Sequence, residues 1–183
     1  DFCFGKNRRG DLKLLKCMCQ DNGIELIVVE RKLYEEIPVS SSRIKDMLIK
    51  GRLKAAEEML GYRYFFKGEI VSGNRIGNTI GFPTINILPD ANCLIPKFGV
   101  YATEVLLDGM TYKGITNIGV KPTVGEDEAL TIETNILDFD KDVYGHQAKV
   151  SLISFLREEK KFSSLNELKK QIENDKKYWT NEE

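Results

Sequence analysis

Histidine and tryptophan are nearly absent from this chain of 183 residues, with His146 and Trp179 the single example of each. One histidine cannot build a histidine-rich metal centre. Cysteine is too sparse to rescue that idea: Cys3, Cys17, Cys19 and Cys93 lack the paired C-x₂₋₄-C spacing of a zinc site. Cys17 and Cys19 also stand two apart in a helical pattern, where side chains do not face each other. The four read as free thiols of a reducing cytoplasm. Excess charge is missing too, since 27 Lys and Arg against 28 Asp and Glu leave a net charge of −1. That excludes the basic footprint of a nucleic-acid binder. No stretch approaches the ~20 apolar residues that span a bilayer, and the N-terminus has no signal-peptide pattern. There is no G-x-x-x-x-G-K-[ST] loop and no protein-kinase HRD or DFG set. Internal repeats and low-complexity tracts are lacking as well. The chain opens at Asp1 in a phrase, DFCFGKNRRGD, that reads as the middle of a longer protein.

What is present falls into two textures. Asp11 is placed to cap a helix carrying Leu12, Leu15, Met18 and Cys19 at helical spacing, with Gly23 as its stop. Glu25 to Val29 reads as a short buried strand. Ser40, Ser41 and Ser42 open a helix that turns Ile44, Met47 and Leu48 inward and breaks at Gly51. Leu53, Ala56, Met59 and Leu60 form another apolar face, closed by Gly61. Beyond Gly61 come short strands between glycine, proline and asparagine turns, the mark of an all-β barrel or sandwich. The strands expected are Tyr64 to Val71, Thr84 to Ile87, Val100 to Leu107, Met110 to Ile118, Leu130 to Leu137 and Ala148 to Leu156. Asp108-Gly109 has the chemistry of a type I′ hairpin turn. Lys121 to Glu128 makes a longer loop, either a flap or a solvated connection. Ser164-Leu165-Asn166-Glu167 is a capping box before a helix with Leu165, Leu168, Ile172 and Trp179 on one face, expected to close the open side of the barrel. The boundary belongs at Gly61 and Tyr62.

The stretch richest in chemistry is Gly73 to Asn86, GNRIGNTIGFPTIN, in which Gly73, Gly77 and Gly81 recur at intervals of four. Glycines let a backbone approach a ligand closely and turn its N–H groups toward phosphate oxygens. Thr84 and Asn86, two apart on an extended segment after Pro83, share a side and offer the hard oxygens that magnesium accepts. Plain turns and local backbone satisfaction explain the same residues. Glu133 stands mid-strand in LTIETNIL, on one side with Thr131, Asn135 and Leu137. It is either a carboxylate placed for chemistry or the polar side of a half-exposed strand.

The wording of these phrases resembles the riboflavin kinase family. GFPTIN is similar to its Gly-Phe-Pro-Thr-Ala-Asn signature, with Ile85 in place of alanine. IETNILDF, Ile132 to Phe139, resembles its Glu-Thr-His-Ile-x-x-Phe strand, with Asn135 for the histidine common in bacterial members. Phe98 to Tyr101 (FGVY), Asn117 to Thr123 (NIGVKPT, Lys121 for arginine) and Phe155 to Phe162 (FLREEKKF) match further phrases in order. The resemblance covers Tyr62 to Tyr178. It implies a six-stranded Greek-key β-barrel with a C-terminal helix, catalysing transfer of the ATP γ-phosphate to riboflavin to give FMN and ADP with Mg²⁺. On the same ground Glu133 is the catalytic base, Thr84 and Asn86 hold the metal, and the Gly73, Gly77 and Gly81 loop covers the ATP phosphates. The last of these phrases, FLREEKKF, lies near the family's flavin site, which makes Arg157 a candidate flavin contact; an ion pair with Glu158 or a helix-end charge explains it as well.

Residues Phe2 to Asp11 (FCFGKNRRGD) and Val39 to Lys45 (VSSSRIK) resemble phrases of the adenylyltransferase half of bacterial bifunctional FAD synthetases. That resemblance implies a remnant site for FMN adenylylation built on Arg8, Ser41 and Arg43. A serine-rich helix N-terminus with Arg43 is an anion site; an ordinary N-cap and a solvated basic loop account for the same residues. Lys45 in place of arginine loses the planar fork. The family's early His-x-Gly-His motif is absent, so FAD synthesis is expected to be lost. Residues 1–61 are thus expected to be the truncated C-terminal part of a Rossmann-like adenylyltransferase domain whose N-terminal half is missing, and residues 62–183 the kinase. The partners implied are riboflavin and ATP, with no nucleic acid and no membrane, in the cytoplasm. A non-catalytic flavin-binding module is the alternative from another class, and an RNA-binding barrel a third, disfavoured by the lack of a basic, aromatic-studded strand face.

Overall fold

The computed structural model describes residues 3–71, 84–90, 92–122 and 128–180, without the side chains of residues 121, 122, 128 and 129. Gly73, Gly77, Gly81 and Pro83 lie outside the described residues, as do residues 123–127 of the expected flap. The chain divides into two compact units, Asp1–Pro38 and Val39–Glu183.

In the first unit Phe4 and Gly10 pair antiparallel and close a loop whose turn includes Asn7 and Arg8 at positive φ. Asp11 then caps α1, Leu12–Asp21, accepting the Leu14 N–H at 2.9 Å. The expected strand from Glu25 to Val29 does not form: the segment has no regular structure, and Ile27 and Val29 are 76% and 84% exposed. Apolar β-branched residues suit a pleated surface, but a strand exists only where a neighbour takes up its backbone groups. A small hairpin not expected from the sequence follows, β1 (Leu33–Tyr34) with β2 (Ile37–Pro38), turned by Glu35 and Glu36 at positive φ.

The second unit starts with α2, Ser41–Ile49, and α3, Leu53–Leu60. Ser40 caps α2 by accepting the Arg43 N–H, and Gly61, at φ 84, ends α3 as a left-handed cap. Six strands follow: β3 (Phe65–Val71), β4 (Thr84–Pro89), β5 (Gly99–Leu107), β6 (Met110–Pro122), β7 (Glu128–Ile136) and β8 (Gln147–Arg157). They close an antiparallel barrel in the order β3-β4-β7-β6-β5-β8, and the run β4-β7-β6-β5 is a Greek key. Asp108 and Gly109 turn the β5–β6 hairpin with φ of 49° and 80°, as a type I′ turn requires. Each expected barrel strand is thus found, within a few residues at either end.

Alternation decides what each strand face does. Ile70, Ile85, Ile87, Val105, Leu107, Ile136, Ala148 and Val150 fill one part of the interior. Phe66, Tyr101, Ile118, Ile132 and Leu152 fill another, where Leu48, Leu53 and Ala56 of the helices join them. Between the strands runs a buried hydroxyl chain, Thr103 to Thr116 at 2.9 Å and Thr116 to Thr134 at 2.8 Å, which satisfies three polar groups without water.

This packing bears on one expectation and corrects another. The texture does change near Gly61, yet the compact unit begins at Val39, because the apolar faces of α2 and α3 find their partners in the barrel interior. The C-terminal helix α4, Leu165–Thr180, does not pack into that interior. Its Trp179 covers Val100, Ala102, Ile115 and Leu137 on the outer face of the sheet, while Leu165 is 56% exposed. The capping box is real, with a shift: Ser164 Oγ accepts the Glu167 N–H, and the Glu167 carboxylate reaches back to the N–H of Ser163.

Candidate active site

Strand register brings together residues far apart in sequence. Asn86 of β4 stands directly opposite Glu133 of β7, and Glu133 directly opposite Asn117 of β6. The same row continues to Val100 on β5 and Arg157 on β8. Residues paired in this way have Cβ atoms about 4.5–5.5 Å apart on one face of the sheet. A second row begins with Thr84 opposite Asn135, then Ile115 and Ala102. Ile85, Ile132 and Thr134 alternate into the interior, so both rows lie on the outside of the barrel.

The result is a polar strip beside an apolar one. Thr84, Asn86 and Glu133 are half-buried, and Asn135 is buried at 8% exposure opposite Thr84. Next to them the sheet turns apolar at Val100, Ala102 and Ile115, under Trp179 of α4. Asn117 and Asn135 were not singled out from sequence as site residues. Period-two alternation marks the face, but only cross-strand register shows that Asn117 shares a row with Glu133. Among the described residues no group of three or more His, Cys, Asp or Glu side chains is placed to hold a metal ion. Magnesium does not need one, because it binds one or two protein oxygens together with substrate phosphates and water. The Thr84 hydroxyl and Asn86 amide, on one side of β4 and open to solvent, fit that donor set.

Arg157 lies at the far end of the row, three strand spacings from Glu133, which is roughly 14 Å at about 4.8 Å per strand. Its guanidinium grips Asp175 of α4 in a bidentate pair, Nη2 to Oδ2 at 2.8 Å and Nε to both oxygens at 3.1 Å. Gln171 donates to the same carboxylate at 2.9 Å. Glu158, the alternative partner considered from sequence, instead pairs with Lys97 at 2.9 Å; that ammonium holds its carboxyl below the usual range. Glu159 follows, with its Oε1 accepting the Asn117 Nδ2–H at 3.0 Å. In the first unit Arg8 is exposed; in the second, Ser41 and Arg43 lie in the first turn of α2.

A riboflavin kinase model, Flavokinase, matches residues 60–182. The chain belongs to the riboflavin kinase family. Kinase-family relatives extend the likeness beyond the barrel. A bifunctional riboflavin kinase/FMN adenylyltransferase of Listeria monocytogenes is 37% identical over 175 residues, covering 96% of this chain and 55% of that protein. The Escherichia coli K12 protein of the same description is 37% identical over 176 residues, covering 96% and 56%. The chain spans about half the length of the curated relatives it matches. A solved structure described as a macrolide-efflux protein from Streptococcus pneumoniae superposes with a TM-score of 0.89 at 30% identity, covering 100% of this chain and 59% of that one. That likeness speaks for the fold; efflux is said of that protein, and no described helix here is long and apolar enough to cross a membrane.

Proposed function

We propose that the chain is a magnesium-dependent riboflavin kinase, transferring the γ-phosphate of ATP to the 5′-hydroxyl of riboflavin with release of FMN and ADP. The observation that carries the reading is the in-register row of Asn86, Glu133 and Asn117, with Thr84 beside it, in a chain of this family. Glu133 takes the proton from the ribityl hydroxyl as its oxygen attacks the γ-phosphorus, and the bond to the ADP oxygen breaks on the opposite side. Thr84 and Asn86 hold the magnesium ion, which offsets charge on the phosphate oxygens when bound. The Gly73, Gly77 and Gly81 loop supplies backbone N–H groups to the phosphates. Arg157 serves the flavin side by fastening β8 to α4 through Asp175, which fixes the helix that covers the apolar strip.

Residues 1–61 are proposed as part of an adenylyltransferase domain and residues 62–183 as the kinase, with α2 and α3 contributing to the kinase core. Arg8 in the first unit, and separately Ser41 and Arg43 at the start of α2 in the second, are then residues proposed to have belonged to FMN adenylylation. Little or no FAD is expected from FMN and ATP. The free thiols suit a reducing cytoplasm. Incubating the purified chain with riboflavin, ATP and magnesium and separating the products tests the reading. FMN formation that chelation abolishes is the result expected; riboflavin binding without FMN under varied metals would favour a non-catalytic flavin module.

A further inference from the structure

Glu159 has no role in the reaction just described, yet it is held over the same strip of sheet. Its carboxylate accepts a hydrogen bond from Asn117 Nδ2 at 3.0 Å, and Asn117 is the direct cross-strand neighbour of Glu133. It also occupies the space that a side chain at position 119 would fill. A Cβ built on Gly119 would lie 2.1 Å from Glu159 Oε1, 2.6 Å from Cδ and 2.7 Å from Oε2. Gly119 is not among the positive-φ glycines, so a side chain there would meet this carboxylate and not backbone strain, and would displace it. Gly119 and Asn117, two apart on β6, share a face, so Glu159 lies along β6 over both, beside the row that holds Glu133.

The segment carrying Glu159 is fastened at successive residues: Arg157 to Asp175, Glu158 to Lys97 and Glu159 to Asn117. An ionised carboxylate only accepts hydrogen bonds, so of the two ways an asparagine amide can face, only Nδ2 toward Glu159 is favourable. The Asn117 oxygen is thereby turned away from Glu159, and the amide beside Glu133 is left with one orientation instead of two.

We propose that Glu159 is a positioning residue for phosphoryl transfer: by fixing the Asn117 amide, and by closing the strip over Gly119, it sets the geometry in which Glu133 meets the acceptor hydroxyl. The proposal rests on the kinase reading above. A loosened support of this kind costs turnover more than ATP affinity, because the contact lies on the acceptor side of the row and not among the residues assigned to the metal.

Steady-state kinetics of riboflavin phosphorylation in the full chain test it. Glu159→Ala should lower kcat roughly 10-fold, the scale of losing a supporting contact to a reactive group, with KM for ATP changed less than about 2-fold. Glu159→Gln, whose amide oxygen still accepts from Asn117, should recover most of that loss. Gly119→Ala should reproduce Glu159→Ala by evicting the carboxylate, and Asn117→Ala combined with Glu159→Ala should be no worse than Asn117→Ala alone. An active parent with an unchanged kcat for Glu159→Ala, or a Gln variant as impaired as the Ala variant, overturns the inference. A parent that makes no FMN overturns the kinase reading and this inference with it.

Discussion

Leu48 offers a sharp test of where the kinase core begins. It lies on α2, outside the matched family segment, and is 1% exposed among Leu53, Ala56, Phe66, Tyr101, Ile118, Ile132 and Leu152. Leu48→Ala removes three buried carbons, worth about 0.8 kcal/mol each in transfer free energy. Incomplete collapse around the cavity raises the total to about 3–4 kcal/mol, within the range seen for such substitutions. For a chain of this length each kcal/mol lowers Tm by about 2–4 °C. The expected loss is thus roughly 6–16 °C. Ile49→Ala, one residue along at 57% exposure, is the control and should move Tm by less than about 2 °C. Differential scanning calorimetry of both variants, with fluorescence to follow the barrel, reads the effect. If Leu48→Ala left the barrel transition where it was and lowered only a separate helical transition, α2 and α3 would not belong to the barrel core.

Glu133→Gln should leave the barrel folded and lower kcat for riboflavin phosphorylation by roughly 10²–10⁴, the usual loss for a general base; turnover within a few-fold of the parent would make Glu133 an ordinary strand residue. Thr84→Ala and Asn86→Ala should raise the magnesium requirement and weaken ATP binding more than riboflavin binding, measured by titration calorimetry; equal loss of both ligands with a lower Tm would assign the turn a structural role. Asp175→Ala strips the mostly buried Arg157 of its partner and should destabilise the chain by about 2–4 kcal/mol in urea unfolding, whereas a loss below about 0.5 kcal/mol would show the pair to be no more than a surface bridge. Burial raises the ionisation of Tyr64 and Tyr101 above their ordinary 10.0. The unfolded chain therefore releases those protons first, so stability should be intact below about pH 10 and fall as pH rises beyond it. Tyrosinate absorbance should rise for these two only as the fold is lost; early ionisation of both in the folded chain would contradict the burial argument.

The barrel was legible because its signals are local. Alternation fixed each strand, and Asp108-Gly109 fixed one hairpin. The face of Glu133 could also be read from period two alone. Register could not, since the opposition of Glu133 to Asn86 and Asn117 depends on how three strands slide against one another. The strand expected at Glu25 to Val29 failed for a related reason: Ile27 and Val29 have the right side chains, but no described neighbour supplies backbone groups to pair with. Arg157 shows the limit for charges. Its neighbour Glu158 was the obvious partner in sequence, whereas the helix returns Asp175 to it across the sheet. The boundary at Gly61 followed texture, yet Leu48 and Leu53 are buried with barrel residues, a contact that no change in composition announces.

Whether Glu133 acts as base within an intact site is tested most directly by single-turnover FMN formation by the parent and Glu133→Gln, each mixed with riboflavin, ATP and magnesium. Rapid FMN formation by the parent, with the variant binding both substrates normally but forming FMN at least roughly 100-fold more slowly, is the result predicted. Equal rates in the two proteins, or no FMN from the parent despite bound riboflavin and ATP, would contradict it.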